Sequence, residues 1–345
     1  MRYEIRAATR ADHADVMRLA EHLNSVNLPH SEAEIDEILT DSEHAFSGQI
    51  ENPRERQYVF VLRDHESSSA VGTSMIIAQL GSRFHPYVFF DVRKEERYSA
   101  TLDAHFVHRV LTIGHSYHGP TEIGGLVVHP DSRGAPERLG MLISYVRFLF
   151  IAVRRDLFQA RVLAELMPPL EADGTSHLWE AVGRHFTGMS YRDADRLSKK
   201  NKEFIGGLFP RGDIYVPLLP QDAQDVIGEV GPQTKGVAKM LTRIGFRYND
   251  RVDPFDGGPH FMAATDEIEL VQRTRRVPVK GGTLEPRGEH VRKCLVATVL
   301  EEAPYFRAVP CRVYLAPGEM IVVDTAGMTH LGLEDGDVAS VLPLY

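Results

Sequence analysis

The segment that decides the fold is residues 121–153, which read TEIGGLVVHPDSRGAPERLGMLISYVRFLFIAV. Its first eight residues, Thr121–Val128, are rich in apolar and β-branched side chains and predict a strand. A loop with glycine, proline and charged residues follows, and Arg138–Val153 then predicts a long amphipathic helix. A second strand is predicted at Val162–Leu166. The centre of the chain therefore has a strand–helix–strand pattern, which is typical of α/β proteins.

Further elements are predicted on both sides of this centre. Before residue 121 the sequence predicts, in order, a strand at Tyr3–Ala8, helices at Thr9–Asn24 and Ser31–Leu39, and strands at Tyr58–Arg63 and Ala70–Ile77. Gln79–Gly119 has no clear period and predicts an insertion of mixed structure. After residue 166 the sequence predicts helices near Ser176–His185 and at Val237–Ile244, and a strand at Phe246–Val252. Together they predict a mixed sheet flanked by helices.

The C-terminal part of the chain has a different pattern. From about Glu267 it consists of short apolar runs and turns with almost no helical period. A chain of 345 residues is also long for one compact domain. We therefore predict a larger domain at residues 1–265 and a small β-rich domain at residues 266–345.

The charge balance excludes some classes of partner. The chain has 39 Lys and Arg residues against 48 Asp and Glu residues, which gives a net charge of −9. Nucleic acids and anionic membranes bind basic surfaces, so neither is expected as the main partner. A local basic site for an anionic cofactor remains compatible with this balance.

Cysteine usage and hydropathy give no sign of a metal site or of export. Cys294 and Cys311 lie in apolar, strand-like runs and are expected to be buried thiols. No CxxC or HExxH motif occurs, so no metal is predicted. The first ten residues are charged and strand-like, and the apolar stretch Leu139–Val153 is interrupted by Arg147 and too short to span a bilayer. We expect a cytoplasmic protein.

The order of the predicted elements resembles the GNAT superfamily of N-acyltransferases. In that fold two central parallel strands splay apart, and the pantetheine of coenzyme A lies between them and pairs with backbone groups. The resemblance places these strands at Thr121–Val128 and Val162–Leu166. The loop after the first strand opens a helix, whose free N–H groups meet the pyrophosphate. Here that loop is Asp131–Gly140, and residues 1–265 would form the GNAT-like catalytic domain.

The resemblance implies a set of residues that bind acyl-CoA. On the first splayed strand these are Leu126, Val127 and Val128, and in the loop they are Arg133, Gly134, Arg138 and Gly140. The amide of Leu126 would hold the thioester carbonyl and stabilise the oxyanion that forms when an amine attacks it. A leucine that only packs in the core is the alternative interpretation of this position.

Longer motifs make the resemblance more specific. They are SHLWEAVGRHF (Ser176–Phe186), IYVPLLPQDAQDVIGEV (Ile214–Val230), GPQT (Gly231–Thr234), GFRYNDRVDPFDGGP (Gly245–Pro259), FRAV (Phe306–Val309) and GLEDGD (Gly332–Asp337). With these, the chain resembles arginine N-succinyltransferases over essentially its whole length. The resemblance implies transfer of a succinyl group from succinyl-CoA to the α-amino group of arginine or ornithine, in arginine catabolism.

Several positions depart from the family pattern. The family proton donor is the histidine of V-H-P-Q-T, and this chain has Gly231 there. A second family histidine, in P-R/K-H-P-I-Y, is replaced by Gly212. The arginine of A-E-M-R-G is replaced by Met167, and the first glycine of the loop's Gly-x-Gly pair by Arg138. A succinyl carboxylate needs cationic partners, so these changes question succinyl as the donor group more than they question coenzyme A.

Two residues are the candidates for the missing proton transfer. Glu165, near the end of the second splayed strand, could accept the proton of the substrate ammonium through a water, or pair with a guanidinium. Tyr215 could protonate the departing thiolate. A surface carboxylate and a packed aromatic ring are the alternative interpretations. His129 and His185 are further candidates, with a structural role as the stronger interpretation of each.

These observations predict an enzyme, with two alternatives. The co-substrate would be succinyl-CoA or another acyl-CoA, the acceptor a small amino acid, and no metal is required. The alternatives are a GNAT acyltransferase with another donor or acceptor, and a non-catalytic subunit of a two-subunit succinyltransferase. A homo-oligomer, or a hetero-oligomer with a related subunit, is expected.

Overall fold

The computed structural model describes the chain except residues 24–27, 84, 199–200, 287, 316–320 and 345. The end of the helix predicted at Thr9–Asn24 lies outside the described residues. The chain forms two compact units. Unit 1 consists of Met1–Ala78, Ile123–Ala160 and Thr265–Tyr345, and unit 2 of Gln79–Glu122 and Arg161–Ala264.

The described strands and α-helices are the following. The strands are β1 (Tyr3–Ala7), β2 (Gln57–Asp64), β3 (Ser69–Ile77), β4 (Tyr87–Ser99), β5 (Ala104–Ser116), β6 (Thr121–Val128), β7 (Arg161–Glu165), β8 (Ile214–Tyr215), β9 (Arg247–Val252), β10 (Pro259–Ala264), β11 (Arg275–Gly282), β12 (Val291–Val299), β13 (Phe306–Tyr314), β14 (Ile321–Asp324) and β15 (Val338–Pro343). The helices are α1 (His13–Ala20), α2 (Glu32–Phe46), α3 (Leu139–Val153), α4 (Arg184–Thr187), α5 (Tyr191–Ser198), α6 (Glu203–Leu208), α7 (Gln221–Val226), α8 (Lys235–Arg243), α9 (Glu269–Arg273) and α10 (Thr325–Leu331).

Unit 1 contains the N-terminal strands and the C-terminal strands. Strands β1, β2 and β3 pair in antiparallel order, and α1 and α2 bury Val16, Leu19, Ile35 and Leu39 against them. Most residues of helix α3 are buried, and the helix is apolar on nearly all sides. The amphipathic helix predicted at this place is thus a core helix of the unit.

The C-terminal strands close on themselves. Their order is β12-β15-β11-β14-β13, and β12 also pairs with β13, which leaves no free edge among these five strands. Their side chains enclose a core that includes Cys294 and Cys311. Both cysteines are free and buried, as predicted, and burial raises the pKa of the Cys294 thiol to about 12. Neither thiol is therefore a ready nucleophile.

Unit 2 is built on a sheet with the order β7-β10-β9-β4-β5-β8. The first residues of β6 extend it, because Thr121 and Glu122 pair in parallel with Val162 and Leu163 of β7. The region predicted as an insertion of mixed structure is instead a long β4–β5 hairpin. Its sequence has no clear alternation because one end is buried and the other is exposed on both faces.

The expectation of a mixed α/β fold is confirmed by these elements, and β6 and β7 pair in parallel. The predicted division into residues 1–265 and 266–345 stays a prediction. In the structure, residues 265–345 belong to the same unit as the N-terminal segment, because β13 pairs with β1 through Ile5 and Ala308. In the described part of the chain, no helix has the length and apolar character that crossing a bilayer requires.

Candidate active site

The middle of strand β6 has an irregular backbone that only glycine fits well. Gly125 has a φ of +58°, and a Cβ atom there would lie 2.9 Å from the Met75 side chain. The carbonyl of the preceding Gly124 accepts a hydrogen bond from the Arg147 guanidinium at 3.4 Å. Arg147 is fully buried in α3, and burial lowers its pKa to about 9. Packing from two sides thus fixes the backbone that leads into Leu126.

The three strand residues predicted to contact acyl-CoA differ in exposure. Leu126 is half-buried, whereas the side chains of Val127 and Val128 are 5% and 8% exposed and belong to the core. Only backbone groups of the two valines are therefore available to a ligand. The proposed oxyanion contact through the Leu126 amide stays a prediction.

The loop between β6 and α3 has the features expected of a phosphate site. Arg133 donates from Nε to the carbonyl of Val128 at 3.0 Å, which attaches the loop to the end of the strand. Gly134 has open space around it, and Gly140 lies in the first turn of α3. Amides at the start of an α-helix can meet an anion. In α3 the amides of Met141 and Leu142 also donate to the Arg138 carbonyl, at 2.9 and 3.2 Å.

Arg138 lies at the N-cap of α3 in the left-handed region, with φ 59° and ψ 56°. Glycine, which the family pattern has at the aligned position, adopts this conformation without strain, whereas a residue with a Cβ atom is strained in it. Holding an arginine in this conformation raises the free energy of the folded state by roughly 1–2 kcal/mol. We expect the charge of Arg138 to offset this cost by binding the phosphates of coenzyme A.

We expect Arg138→Gly to stabilise the folded protein and to weaken its affinity for coenzyme A. Removal of the strained side chain should raise stability by about 1 kcal/mol, and loss of one phosphate contact should raise Kd several-fold. Thermal unfolding and calorimetric titration with coenzyme A measure the two effects. An Arg138→Gly variant that binds coenzyme A as tightly as the wild type would show that the side chain has no part in binding.

Unit 2 contains a group of carboxylates at the end of strand β7. Glu165 is the last residue of β7, and its cross-strand partner on β10 is His260. The His260 ring is fully buried. Its Nδ1 hydrogen-bonds with the hydroxyl of Tyr87 at 2.9 Å, and its Nε2 lies 3.4 Å from Oε1 of Glu165. Burial lowers the pKa of His260 to about 3, so the ring is neutral at physiological pH.

The carboxylate of Glu165 is reached by solvent but is surrounded by protein. Its side chain is 30% exposed, yet burial holds its pKa well above the usual range, and the charges of Glu122 and Asp253 raise it further. Lys202 opposes this effect. The two observations agree because water reaches the carboxylate on one side while protein replaces bulk solvent on the others.

Two aspartates of the turn after β9 belong to the same group. Asp253 accepts a hydrogen bond from the Phe255 amide at 2.6 Å, and Asp256 accepts one from the Gly258 amide at 2.7 Å. Burial raises the pKa of both carboxyls, and the charge of Asp253 adds to the effect on Asp256. We call the group Glu122, Glu165, Asp253 and Asp256 the acidic recess.

We expect Asp256→Asn to stabilise the protein at neutral pH but not in acid. Asparagine keeps the acceptor oxygen for the Gly258 amide and removes a charge that is costly in the folded state. Because the pKa is raised on folding, the cost begins above the unfolded value of about 3.9 and grows as the pH rises. The gain should be on the order of 1 kcal/mol at pH 7.5, or about 2–4 °C in Tm, and should vanish near pH 3.

Thermal unfolding at pH 3 and pH 7.5 checks this prediction. Asp156→Asn is a matched control, since the Asp156 side chain is 74% exposed and its removal should change Tm little at either pH. A lower Tm for Asp256→Asn at pH 7.5 would contradict the account of the acidic recess.

The other residues predicted from the sequence lie elsewhere. Tyr215 is on the edge strand β8, where its hydroxyl bonds to Glu95 and accepts from Arg97 at 3.2 Å. Strands β10, β9, β4 and β5 lie between it and Glu165, so the structure does not bring these two candidates together. His129 lies in unit 1 within 3.6 Å of Asp131, and His185 lies on α4. Tyr215 as a proton donor stays a prediction without support from this geometry.

The two glycines that replace family histidines have opposite surroundings. A Cβ atom at Gly231 would lie 2.6 Å from the carbonyl oxygen of Pro168 and 2.8 Å from that of Met167. The Gly231 amide also donates to the Met167 carbonyl at 2.9 Å. At Gly212 nothing lies within 4 Å of the same position. The backbone after β7 thus occupies the space that a side chain at 231 would need.

Two clusters of potential metal ligands occur among the described residues. Among the described residues, ligand atoms converge in Glu165–Asp253–His260 and in Glu4–His65–His330. In the second group the Glu4 carboxylate already contacts both histidines, at 3.0 and 3.3 Å, and Arg307 at 3.3 Å. The sequence-based expectation of no metal stays a prediction.

The sequence interpretation missed His260, Asp253 and Asp256. A signal existed, because both aspartates lie in the motif Gly245–Pro259 and His260 follows it directly. Charged residues in a turn are more often solvated, so the motif by itself did not single them out as candidate site residues.

Comparison with known proteins identifies the family. A family model described as arginine N-succinyltransferase beta subunit matches residues 3–270. The chain is 31% identical over 347 residues to an arginine N-succinyltransferase of Yersinia pestis (strain Pestoides F), with 99% of this chain and 98% of the relative covered. It is 32% identical over 337 residues to one of Shigella dysenteriae serotype 1 (strain Sd197), with 96% and 95% covered.

A solved structure agrees with these sequence matches. The arginine/ornithine succinyltransferase subunit AI from Pseudomonas aeruginosa superposes with a TM-score of 0.83 at 30% identity, with 99% of this chain and 98% of that chain covered. The likeness in sequence and in structure thus extends over both units. The chain belongs to the arginine N-succinyltransferase family and is an acyltransferase.

Proposed function

We propose that this enzyme transfers a succinyl group from succinyl-CoA to the α-amino group of arginine, with Glu165 as the general base. The observation that carries this proposal is the environment of Glu165. Its pKa is raised well above the usual range, and it is paired across strands with a neutral, buried histidine. A carboxylate with a raised pKa is a better proton acceptor near neutral pH than an ordinary surface glutamate.

The reaction is direct acyl transfer. The substrate amine arrives as an ammonium ion, and Glu165 takes one proton, so that the free amine attacks the thioester carbonyl. A hydrogen-bond donor at the carbonyl oxygen stabilises the negative charge that develops there. The C–N bond forms, the C–S bond breaks, and coenzyme A leaves as a thiolate that is protonated from solvent or from the proton held by Glu165.

The coenzyme A phosphates are assigned to unit 1. Arg133, Gly134, Arg138 and Gly140 form or flank the N-terminus of α3, whose free amides and dipole favour phosphate. Helix α3 is long and buried, so this N-terminus is held rigidly. We therefore expect the phosphates to contribute equally to the binding of every acyl-CoA, whichever acyl group it carries.

A second candidate is the same transfer with another acyl donor. Met167 replaces an arginine of the family pattern, and Gly212 replaces a histidine. A succinyl carboxylate without a cationic partner binds weakly, so a donor without that carboxylate would suit such a site better.

Free-thiol release with arginine separates these candidates. Turnover with succinyl-CoA that exceeds turnover with acetyl-CoA supports succinyl transfer, and the reverse order supports the second candidate. Binding of coenzyme A without turnover of either thioester would favour the non-catalytic subunit. No binding of either thioester would overturn the assignment of α3 as the phosphate site.

A further inference from the structure

Three carboxyl groups of the acidic recess, those of Glu165, Asp253 and Asp256, lie in the same part of unit 2. Burial raises the pKa of Glu165, Asp253 and Asp256, and each of the three is affected by at least one neighbouring charge. Lys202 acts in the opposite direction on Glu165 and Asp253. Like charges buried together are unfavourable unless a cation joins them. The recess is therefore better suited to a positively charged ligand than to an empty state at neutral pH.

A buried histidine nitrogen points to a ligand independently of the carboxylates. His260 is fully buried, and its Nε2 has no hydrogen-bond partner in the described part of the chain. This atom lies 3.4 Å from Glu165, and one ligand atom each of Glu165, Asp253 and His260 lie within 4.8 Å of one another. Because His260 is neutral, it adds no charge to oppose a cation. Buried polar atoms are normally paired, so a ligand here would complete its bonding.

The turn that presents the two aspartates is rigid. Gly257 has a φ of +83°, and a Cβ atom at Gly258 would lie 2.4 Å from the Leu166 carbonyl oxygen. The amides of Phe255 and Gly258 fix one oxygen of each aspartate. A carboxylate accepts up to about four hydrogen bonds, so both side chains keep the capacity to bind an N–H donor. They are held in place before a ligand arrives, which reduces the entropy lost on binding.

We propose that the acidic recess selects a dicationic amino acid, with Asp253 and Asp256 binding the side-chain cation while Glu165 meets the α-ammonium. This inference rests on the proposed function and adds to it the residues that decide the acceptor. One ammonium group balances only part of the charge of the recess. A guanidinium or a second ammonium balances more, and a guanidinium can donate two parallel bonds to a carboxylate. A neutral side chain of the same shape leaves the aspartates unbalanced.

The test compares arginine with citrulline, which has nearly the same shape but no side-chain charge. Thiol release by the full chain is measured with a fixed acyl-CoA and each amino acid, for the wild type, Asp253→Asn and Asp256→Asn. We expect the wild type to favour arginine by about 100-fold or more in kcat/KM. Each variant should reduce this preference by about 10-fold, mainly through a higher KM for arginine, with coenzyme A affinity unchanged.

The controls separate selectivity from damage to the fold. Asp156→Asn should leave the preference and both KM values unchanged, since that side chain is 74% exposed. Asp256→Asn should be at least as stable as the wild type, so a loss of arginine selectivity could not be attributed to unfolding. An unchanged arginine-to-citrulline ratio in both Asn variants would overturn the proposal.

Binding measurements keep this inference distinct from the proposed function. If the wild type shows no arginine-dependent thiol release, the proposed function is wrong, and calorimetry with arginine and citrulline tests the recess by itself. Arginine binding that Asp256→Asn abolishes would still support the recess as a site for a dicationic amino acid. Binding of Zn²⁺ or Mg²⁺ that His260→Asn abolishes, with no binding of arginine, would instead identify a metal site and overturn the proposal.

Discussion

Replacement of Glu165 by glutamine should lower arginine-dependent thiol release by about 10²- to 10⁴-fold and leave coenzyme A affinity unchanged. Glutamine has nearly the same shape, but it cannot accept the ammonium proton. The cost falls on the chemical step, so kcat should fall while the Kd for coenzyme A, measured by calorimetry, stays within about two-fold of the wild type.

The pH dependence gives this prediction a second readout. Glu165 must be ionised to act as a base, so kcat/KM should rise with pH through its pKa in the free enzyme. Burial and the charges of Glu122 and Asp253 raise that pKa, and Lys202 lowers it. The acid limb should therefore lie above the value of about 4.3 for an ordinary glutamate, and Glu165→Gln should lose this limb in its residual activity.

A matched variant controls for the change of a carboxylate to an amide. Glu96 lies on the exposed part of β4, with a side chain that is 73% exposed, and Glu96→Gln should retain wild-type activity at every pH. Turnover of Glu165→Gln within about three-fold of the wild type would exclude a role as general base, because general bases contribute about 100-fold or more.

Replacement of Gly231 by histidine, which restores the family residue, should destabilise the protein and should not increase its activity. The new Cβ atom would lie 2.6 Å and 2.8 Å from two backbone carbonyl oxygens, which cannot move as a flexible side chain can. The Thr234 hydroxyl also donates to the Met167 carbonyl at 2.9 Å, so the segment is held from more than one side. Overpacking of this kind costs about 1–3 kcal/mol or more.

Gly212→His is the matched control for this prediction, because it restores the other family histidine at a position with open space. Thermal unfolding should show a Tm several degrees lower for Gly231→His and nearly unchanged for Gly212→His. A Gly231→His variant with wild-type Tm and higher kcat would contradict this account, because it would mean that the position still accepts the family histidine. The structure instead shows the backbone after β7 in the space that the side chain would need.

The sequence by itself determined the elements that have a strong local pattern. Thr121–Val128 is predicted as a strand and is one with the same bounds, and α3 begins one residue after the predicted start. The motifs of ten or more residues were sufficient to indicate the family. Arg138 was recognised as a departure from a glycine position, although only the structure shows the left-handed backbone that explains it.

Tertiary structure alone decided which side chains meet. Glu165 and His260 are far apart in sequence and become neighbours because β7 and β10 pair in a fixed antiparallel register. Asp253 and Asp256 join Glu165 because a rigid turn directs them there, and no local pattern encodes that direction. Tertiary structure also distinguishes Gly231 from Gly212, since both are glycines that replace a family histidine. Only the three-dimensional packing makes Gly231 closed to a side chain and Gly212 open to one, since the atoms that fill the space at Gly231 come from a distant strand end.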